Sequence, residues 1–145
     1  MSRTPPLRVF LSFDLEHDQD LHDRLLAQAD GRTSFAISDQ SEAGAITPSW
    51  TERARKRISA SDEVVIICGE HSHKSSRMSA ELRIAQEMKK PYVLLWGRRQ
   101  QMCKKPKSAR SGDGMYLWTP EILEDQIVSS VSWAPSARGM SQRPS

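Results

Sequence analysis

The stretch Glu63-Val64-Val65-Ile66-Ile67-Cys68-Gly69 decides the fold. Four consecutive β-branched residues without polar alternation predict a strand buried on both faces, as in a parallel sheet. Working outward, Leu7-Arg8-Val9-Phe10-Leu11-Ser12 and Ser34-Phe35-Ala36-Ile37-Ser38 read as two earlier short strands, and Pro91-Tyr92-Val93-Leu94-Leu95-Trp96 as a fourth. Met115 to Trp118 reads as a short fifth. Between them lie helical spacings. Leu21, Leu25 and Leu26 mark a helix from Asp18 to Asp30 that Gly31 stops. Trp50, Ala54 and Ile58 form the inner stripe of a helix opened by Thr47 as N-cap and Pro48 at its first position. Asp39 to Thr47 reads as a loop. A third helix spans Arg77 to Lys90, and Thr119-Pro120 opens a last one that runs to about Ser130. Strands alternating with helices through short links give an α/β fold. Right-handed crossovers narrow it to a flavodoxin-like three-layer sandwich with a parallel sheet of about five strands.

Length and charge bound the rest. The 145 residues suit one domain, expected over 1–130, with a Ser/Pro/Arg-rich segment at 131–145 that reads as a disordered tail. Mean hydropathy is −0.59, polar for a globular chain. No apolar run approaches the ~20 residues that span a bilayer. No secretory signal opens the chain, and Cys68 and Cys103 form no CxxC pattern, so a reduced, cytoplasmic protein without membrane partners is expected. Residues 1–96 carry 13 basic and 14 acidic side chains, whereas 97–145 carry 8 and 4. The excess lies in Arg98, Arg99, Lys104, Lys105, Lys107 and Arg110, a run without an acid. It reads either as a solvated loop or as a phosphate-contacting one. A nucleic-acid surface is not expected, because no aromatic residues interleave with these cations.

In doubly wound sheets the ligand crevice lies beyond the carboxyl ends of the strands. That edge collects Ser12-Phe13-Asp14, Ser38-Asp39, Gly69-Glu70-His71 and the basic loop after Trp96. Several chemistries drop out. Cys68-Gly69 stands where a receiver domain needs its phospho-acceptor Asp. The loop after the first strand carries Asp14, Glu16 and Asp18 and no glycine, so it cannot cradle a phosphate. GxGxxG, Walker A and nucleophile-elbow patterns are missing. His71 and His73 with Cys68 lack a fourth ligand for zinc, so no metal is expected.

Glu81 stands out. On a helical wheel it lies about 20° from Met88 and about 40° from Ala85, inside the apolar arc. An inward carboxylate costs free energy unless something uses it. Two readings stay open: a structural carboxylate capping backbone or paired with Arg53 or Arg57, and a crevice acid beside a substrate.

Arg8-Val9-Phe10-Leu11-Ser12-Phe13-Asp14, Ser38-Asp39, Ala60-Ser61-Asp62 and the run from Val64 to Ser75 resemble bacterial TIR-like domains, and in particular the TIR-like subunit of Thoeris antiphage-defence systems. The resemblance covers residues 7–96, with a weaker continuation to Ser130. It implies a TIR fold that cleaves the nicotinamide–ribose bond of NAD, a substrate and not a cofactor, and turns the ADP-ribose part into a cyclic or conjugated signal. It further implies a homo-oligomer and a separate effector protein reached by the diffusing product. Glu81 matches the family's catalytic Glu. Many relatives carry a Trp shortly before it, where this chain reads Ser76-Arg77-Met78-Ser79-Ala80. Phe10, Ser12, Phe13, Asp14, Asp39, Gly69, His71 and Arg98 are the expected substrate-binding residues. Phe10 or Phe13 would pack on a ligand ring, and Arg98 with Arg99, or backbone N–H groups, would meet the pyrophosphate. The alternative is a non-catalytic TIR-like scaffold that works through self-association or partner binding.

Overall fold

The structure, a computed structural model, describes residues 5–136, with side chains described through residue 130. Strands β1 (Leu7–Ser12), β2 (Phe35–Gln40), β3 (Glu63–Cys68), β4 (Tyr92–Trp96) and β5 (Met115–Leu117) alternate with helices α1 (Gln19–Ala29), α2 (Pro48–Ala60), α3 (Ser76–Glu87) and α4 (Pro120–Ser136). A single 3₁₀ turn, Ser72–Lys74, precedes α3. The sheet order is β2-β1-β3-β4-β5 and every pairing is parallel. This is the doubly wound order of flavodoxin-like folds.

β3 is central, and all six of its residues are buried, as its unbroken apolar run requires. The core divides into two clusters, one on each sheet face. One joins Val9, Leu11, Val65, Ile67 and Leu95 to Leu21 and Leu25 of α1 and Leu123 and Ile127 of α4. The other joins Phe10, Val64, Ile66 and Leu94 to Trp50, Ala54 and Ile58 of α2 and Met78, Leu82 and Ala85 of α3. Two helices on each face make the third and first layers of a sandwich.

Helices α2, α3 and α4 begin at a capping hydroxyl. Thr47 accepts a hydrogen bond from the Trp50 N–H at 3.1 Å, and Pro48 occupies the first position. Ser75 caps α3 by accepting from the Met78 N–H at 3.1 Å. Thr119 accepts from the Ile122 N–H at 3.0 Å at the start of α4. α4 continues to Ser136, past the expected end near Ser130. The remainder of the expected tail, 137–145, lies outside the described residues.

β2 departs from the sequence reading in a way that shapes the site. It runs on to Gln40, two residues into the expected loop. Its register with β1 slips between Val9↔Ile37 and Phe10↔Asp39, so Ser38 is an extra residue in this edge strand. The Ser38 hydroxyl donates to the Val9 carbonyl at 3.3 Å. Pairing with β1 then continues beyond the strand, the Ser41 N–H donating to the Leu11 carbonyl at 3.0 Å. That bond delivers Ser41 to the carboxyl edge. No helix among the described residues is long and apolar enough to cross a membrane.

Candidate functional site

Three segments meet at the carboxyl edge: the end of β1, the loop after β2 and the first turns of α3. Glu81 lies in the second turn of α3, on the face that also buries Met78, Leu82, Ile84 and Ala85. It is 1% exposed. One carboxyl oxygen, Oε1, accepts from the Ser12 hydroxyl at 2.6 Å and from the Ser41 hydroxyl at 2.7 Å. Ser41 in turn accepts from the Phe13 N–H at 3.2 Å, which fixes its proton toward Glu81. The other oxygen, Oε2, is buried and has no hydrogen-bond partner among the described residues. Burial pushes the Glu81 carboxyl up to about 7, against a smaller opposing effect of the two serine hydroxyls. The group therefore changes charge near neutral pH.

Neither Arg53 nor Arg57 pairs with Glu81. Both engage Glu42, at 2.6 and 2.5 Å, and Arg57 also faces Asp39 at 3.5 Å. These contacts anchor the loop that carries Ser41. The Trp50 indole N–H donates to the Glu42 carbonyl at 3.0 Å, and Arg77 donates to the Gly44 carbonyl at 2.7 Å. Gly44 has φ +112°, a left-handed conformation that a side chain resists.

A cleft of about 600 Å³ adjoins this cluster. Asp14, Glu16 and His17 from the loop after β1, Gly44 to Ile46 from the loop after β2, and His71, Lys74 and Arg77 line it. The three segments that hold Glu81, with the turn after β3, thus wall the cleft, but Glu81 itself is not in the lining. His17 and His71 stack with ring centroids 4.0 Å apart. The His17 Nδ1 lies 2.9 Å from the Asp14 carboxylate, and this contact raises the His17 pKa. Asp14, Glu16 and His17 bring one ligand atom each within 4.8 Å of one another, the group among the described residues that could hold a cation.

The expected site residues divide. Ser12 and Glu81 are in direct contact, and Asp14 and His71 line the cleft. Gly69 is buried at the end of β3, where a Cβ would collide with the Asp18 carboxylate. Three expectations are corrected. Phe10 is 1% exposed and packs in the α2–α3 core cluster, and Phe13 is 1% exposed and stacks on His22 at 4.6 Å in the other. Neither ring lines the cleft: Phe10 is in the buried part of β1, Phe13 follows that strand, and both rings are used in packing. Arg98 is not a free phosphate donor. It bonds Asp20 at 2.8 and 3.0 Å, Asp18 at 3.1 Å and the His17 carbonyl at 3.3 Å, tying the loop after β4 to the start of α1. Asp39 faces Arg57 at 3.5 Å and, like Ser12 and Gly69, is not in the cleft lining. Ser41 is the contact that sequence reasoning missed. Its only signal was a serine just past a strand on the carboxyl edge, and that strand was drawn two residues short.

No protein-family model matches the chain, and no curated protein matches it. Among solved structures it is similar to a prokaryotic SEFIR domain, with a TM-score of 0.54 at 13% identity, over 96% of this chain and 98% of that one. At that identity the likeness speaks to the fold. Together with the 2-1-3-4-5 parallel order, it gives the chain a TIR-like, flavodoxin-like α/β fold.

Proposed function

We propose that this chain is a TIR-like enzyme that cleaves the nicotinamide–ribose bond of NAD and converts the ADP-ribosyl part into a cyclic or conjugated signalling nucleotide, as in Thoeris-type antiphage defence. The observation that carries the reading is the Glu81 carboxyl. It is held by two serine hydroxyls through one oxygen only, at the carboxyl edge, where residues flanking its contacts in sequence wall a cleft of about 600 Å³. Unlike Asp18, whose one free oxygen accompanies an ion pair with Arg98, Glu81 has no cation partner among the described residues.

The chemistry suits one carboxylate. When the C–N bond breaks, its electron pair leaves with nicotinamide, which departs neutral and needs no acid. The ribosyl carbon becomes an oxocarbenium ion, and a fixed negative charge stabilises it. Water or a ribose hydroxyl then supplies the new bond and loses a proton. Glu81 must be ionised for this, so the rate should follow its deprotonation.

A second reading is favoured by a different observation. Glu81 is 1% exposed and does not line the cleft, as expected of a TIR-like scaffold that acts by self-association or partner binding. In the catalytic reading, the loop bearing Ser41 must move for substrate to reach Oε2.

Incubating the protein with NAD and following nicotinamide and ADP-ribose products by chromatography and mass separates the two. The catalytic reading predicts product from the wild type and none from Glu81→Ala. Product from both removes Glu81 from the reaction. Silence from both, in concentrated protein and in extract of infected cells, favours the scaffold.

A further inference from the structure

Most arginines with described partners face carboxylates: Arg8 faces Asp62, Arg32 faces Glu124, Arg55 faces Glu87, and Arg98 faces Asp18 and Asp20. A second cavity, of about 320 Å³, breaks this pattern. Lys74 from the turn after β3, Arg83 from α3 and Lys107 from the loop after β4 line it, with His73, Ser76 and Ser79. No carboxylate lines it. Among the described residues none of the three cations has an ion-pair partner or a side-chain hydrogen bond.

Like charges gathered from three segments repel unless a counter-charge sits among them. His73 registers that field. Its Nδ1 is buried without a partner, and its pKa is lowered by burial first and then by Lys74, Lys104 and Lys107 among its neighbours. The cations suit an oxyanion with several acceptor oxygens: one guanidinium fork and two ammonium groups. The volume lies near the lower end of small-ligand pockets. The lining offers no aromatic platform on which the bases of a single strand could stack.

We propose that the pocket lined by Lys74, Arg83 and Lys107 binds a phosphate group carried by a small molecule. Ile46, Lys74, Ser75 and Ser76 also line the cleft near Glu81, so the two cavities share a wall, but Arg83 and Lys107 line this one alone. Arg83 stands two residues beyond Glu81, which puts it about 160° round the helix, on the outer face of α3. The inference therefore does not rest on NAD cleavage.

The test is calorimetric titration of the full chain with pyrophosphate and with ADP at fixed ionic strength. The variants are Arg83→Gln/Lys107→Gln, Lys56→Gln as an exposed cation outside the pocket, and Glu81→Gln. Arg83, Lys107 and Lys56 are exposed, so their replacement leaves the core intact. Saturable binding is expected in the wild type, in Lys56→Gln and in Glu81→Gln. The double variant should bind about tenfold more weakly or worse, having lost two charge-assisted contacts. ADP and pyrophosphate binding equally would mean that phosphate alone is read. Tighter ADP binding would mean that the nucleoside is read too. Either supports the site, and bound phosphate should raise the His73 pKa in an NMR titration. No saturable binding of either probe, equal binding by the double variant, or binding of a DNA duplex alone would overturn it.

Discussion

Replacing Glu81 by glutamine should stabilise the protein above neutral pH and leave it nearly unchanged in acid. Burial raises the Glu81 carboxyl from 4.5 to about 7. A group whose folded pKa lies above its unfolded value gives stability that is complete below the unfolded pKa and is lost as pH climbs through the folded one. Between about pH 4.5 and 7 the native state holds a proton that the unfolded chain releases. The rise corresponds to about 3 kcal/mol. Above pH 7 that stabilisation is gone, and a buried charge remains with Oε2 unpartnered. Glutamine keeps an oxygen to accept from Ser12 and Ser41 and never ionises. The difference in unfolding free energy, Glu81→Gln minus wild type, should therefore be near zero at about pH 4.5 and grow to about 3 kcal/mol by about pH 8.5. Urea unfolding of the two proteins across that range measures it, and the difference curve cancels groups common to both. A flat difference would refute the reasoning, since it would mean that the carboxyl titrates as a solvated one and that the sealed cluster is not the native arrangement.

Other expectations follow from particular contacts. Arg98→Ala removes the partner of Asp18, which is 1% exposed and keeps a second oxygen unsatisfied. It should cost about 3 kcal/mol in urea unfolding, because a buried charge is left uncompensated; a loss below about 0.5 kcal/mol, the range of ordinary surface changes, would argue against the staple. Gly69→Ala drives a methyl into the Asp18 carboxylate and should destabilise by about 1–3 kcal/mol, partly relieved when combined with Asp18→Ala. Additive losses in that pair would deny the clash. Trp50→Ala opens a cavity under α2 and frees the Glu42 carbonyl, so a loss of about 3–5 kcal/mol is expected in urea unfolding.

The fold was legible because its decisive residues act locally. An unbroken β-branched run can only be a strand buried on both faces, and Thr47-Pro48 and Thr119-Pro120 state where helices begin. Glu81 was legible for the same reason, as a charge at an apolar wheel position. The misreadings share a cause too. Arg98 sits in a charge run that reads as solvated or ligand-facing, but its partners Asp18 and Asp20 are some 80 positions away and meet it only in the folded chain. Phe10 and Phe13 stand near the carboxyl edge in sequence, and nothing in β1 or the residue after it tells which way a ring turns when both sheet faces are buried. β2 ended early in the sequence reading because its polar residues, tolerated at a half-exposed sheet edge, look like loop. That hid Ser41, the second hydroxyl on Glu81.

The central claim is that Glu81 is kept in an unfavourable burial for use as a carboxylate. Nicotinamide release from NAD, measured from about pH 5.5 to 8.5 on wild type and Glu81→Gln, tests it most directly. Wild-type release is expected to rise through about pH 7 as Glu81 ionises, and Glu81→Gln, although the more stable protein at high pH, should release none. Equal release by the two proteins, or a wild-type rate that is flat across pH 7, would contradict it.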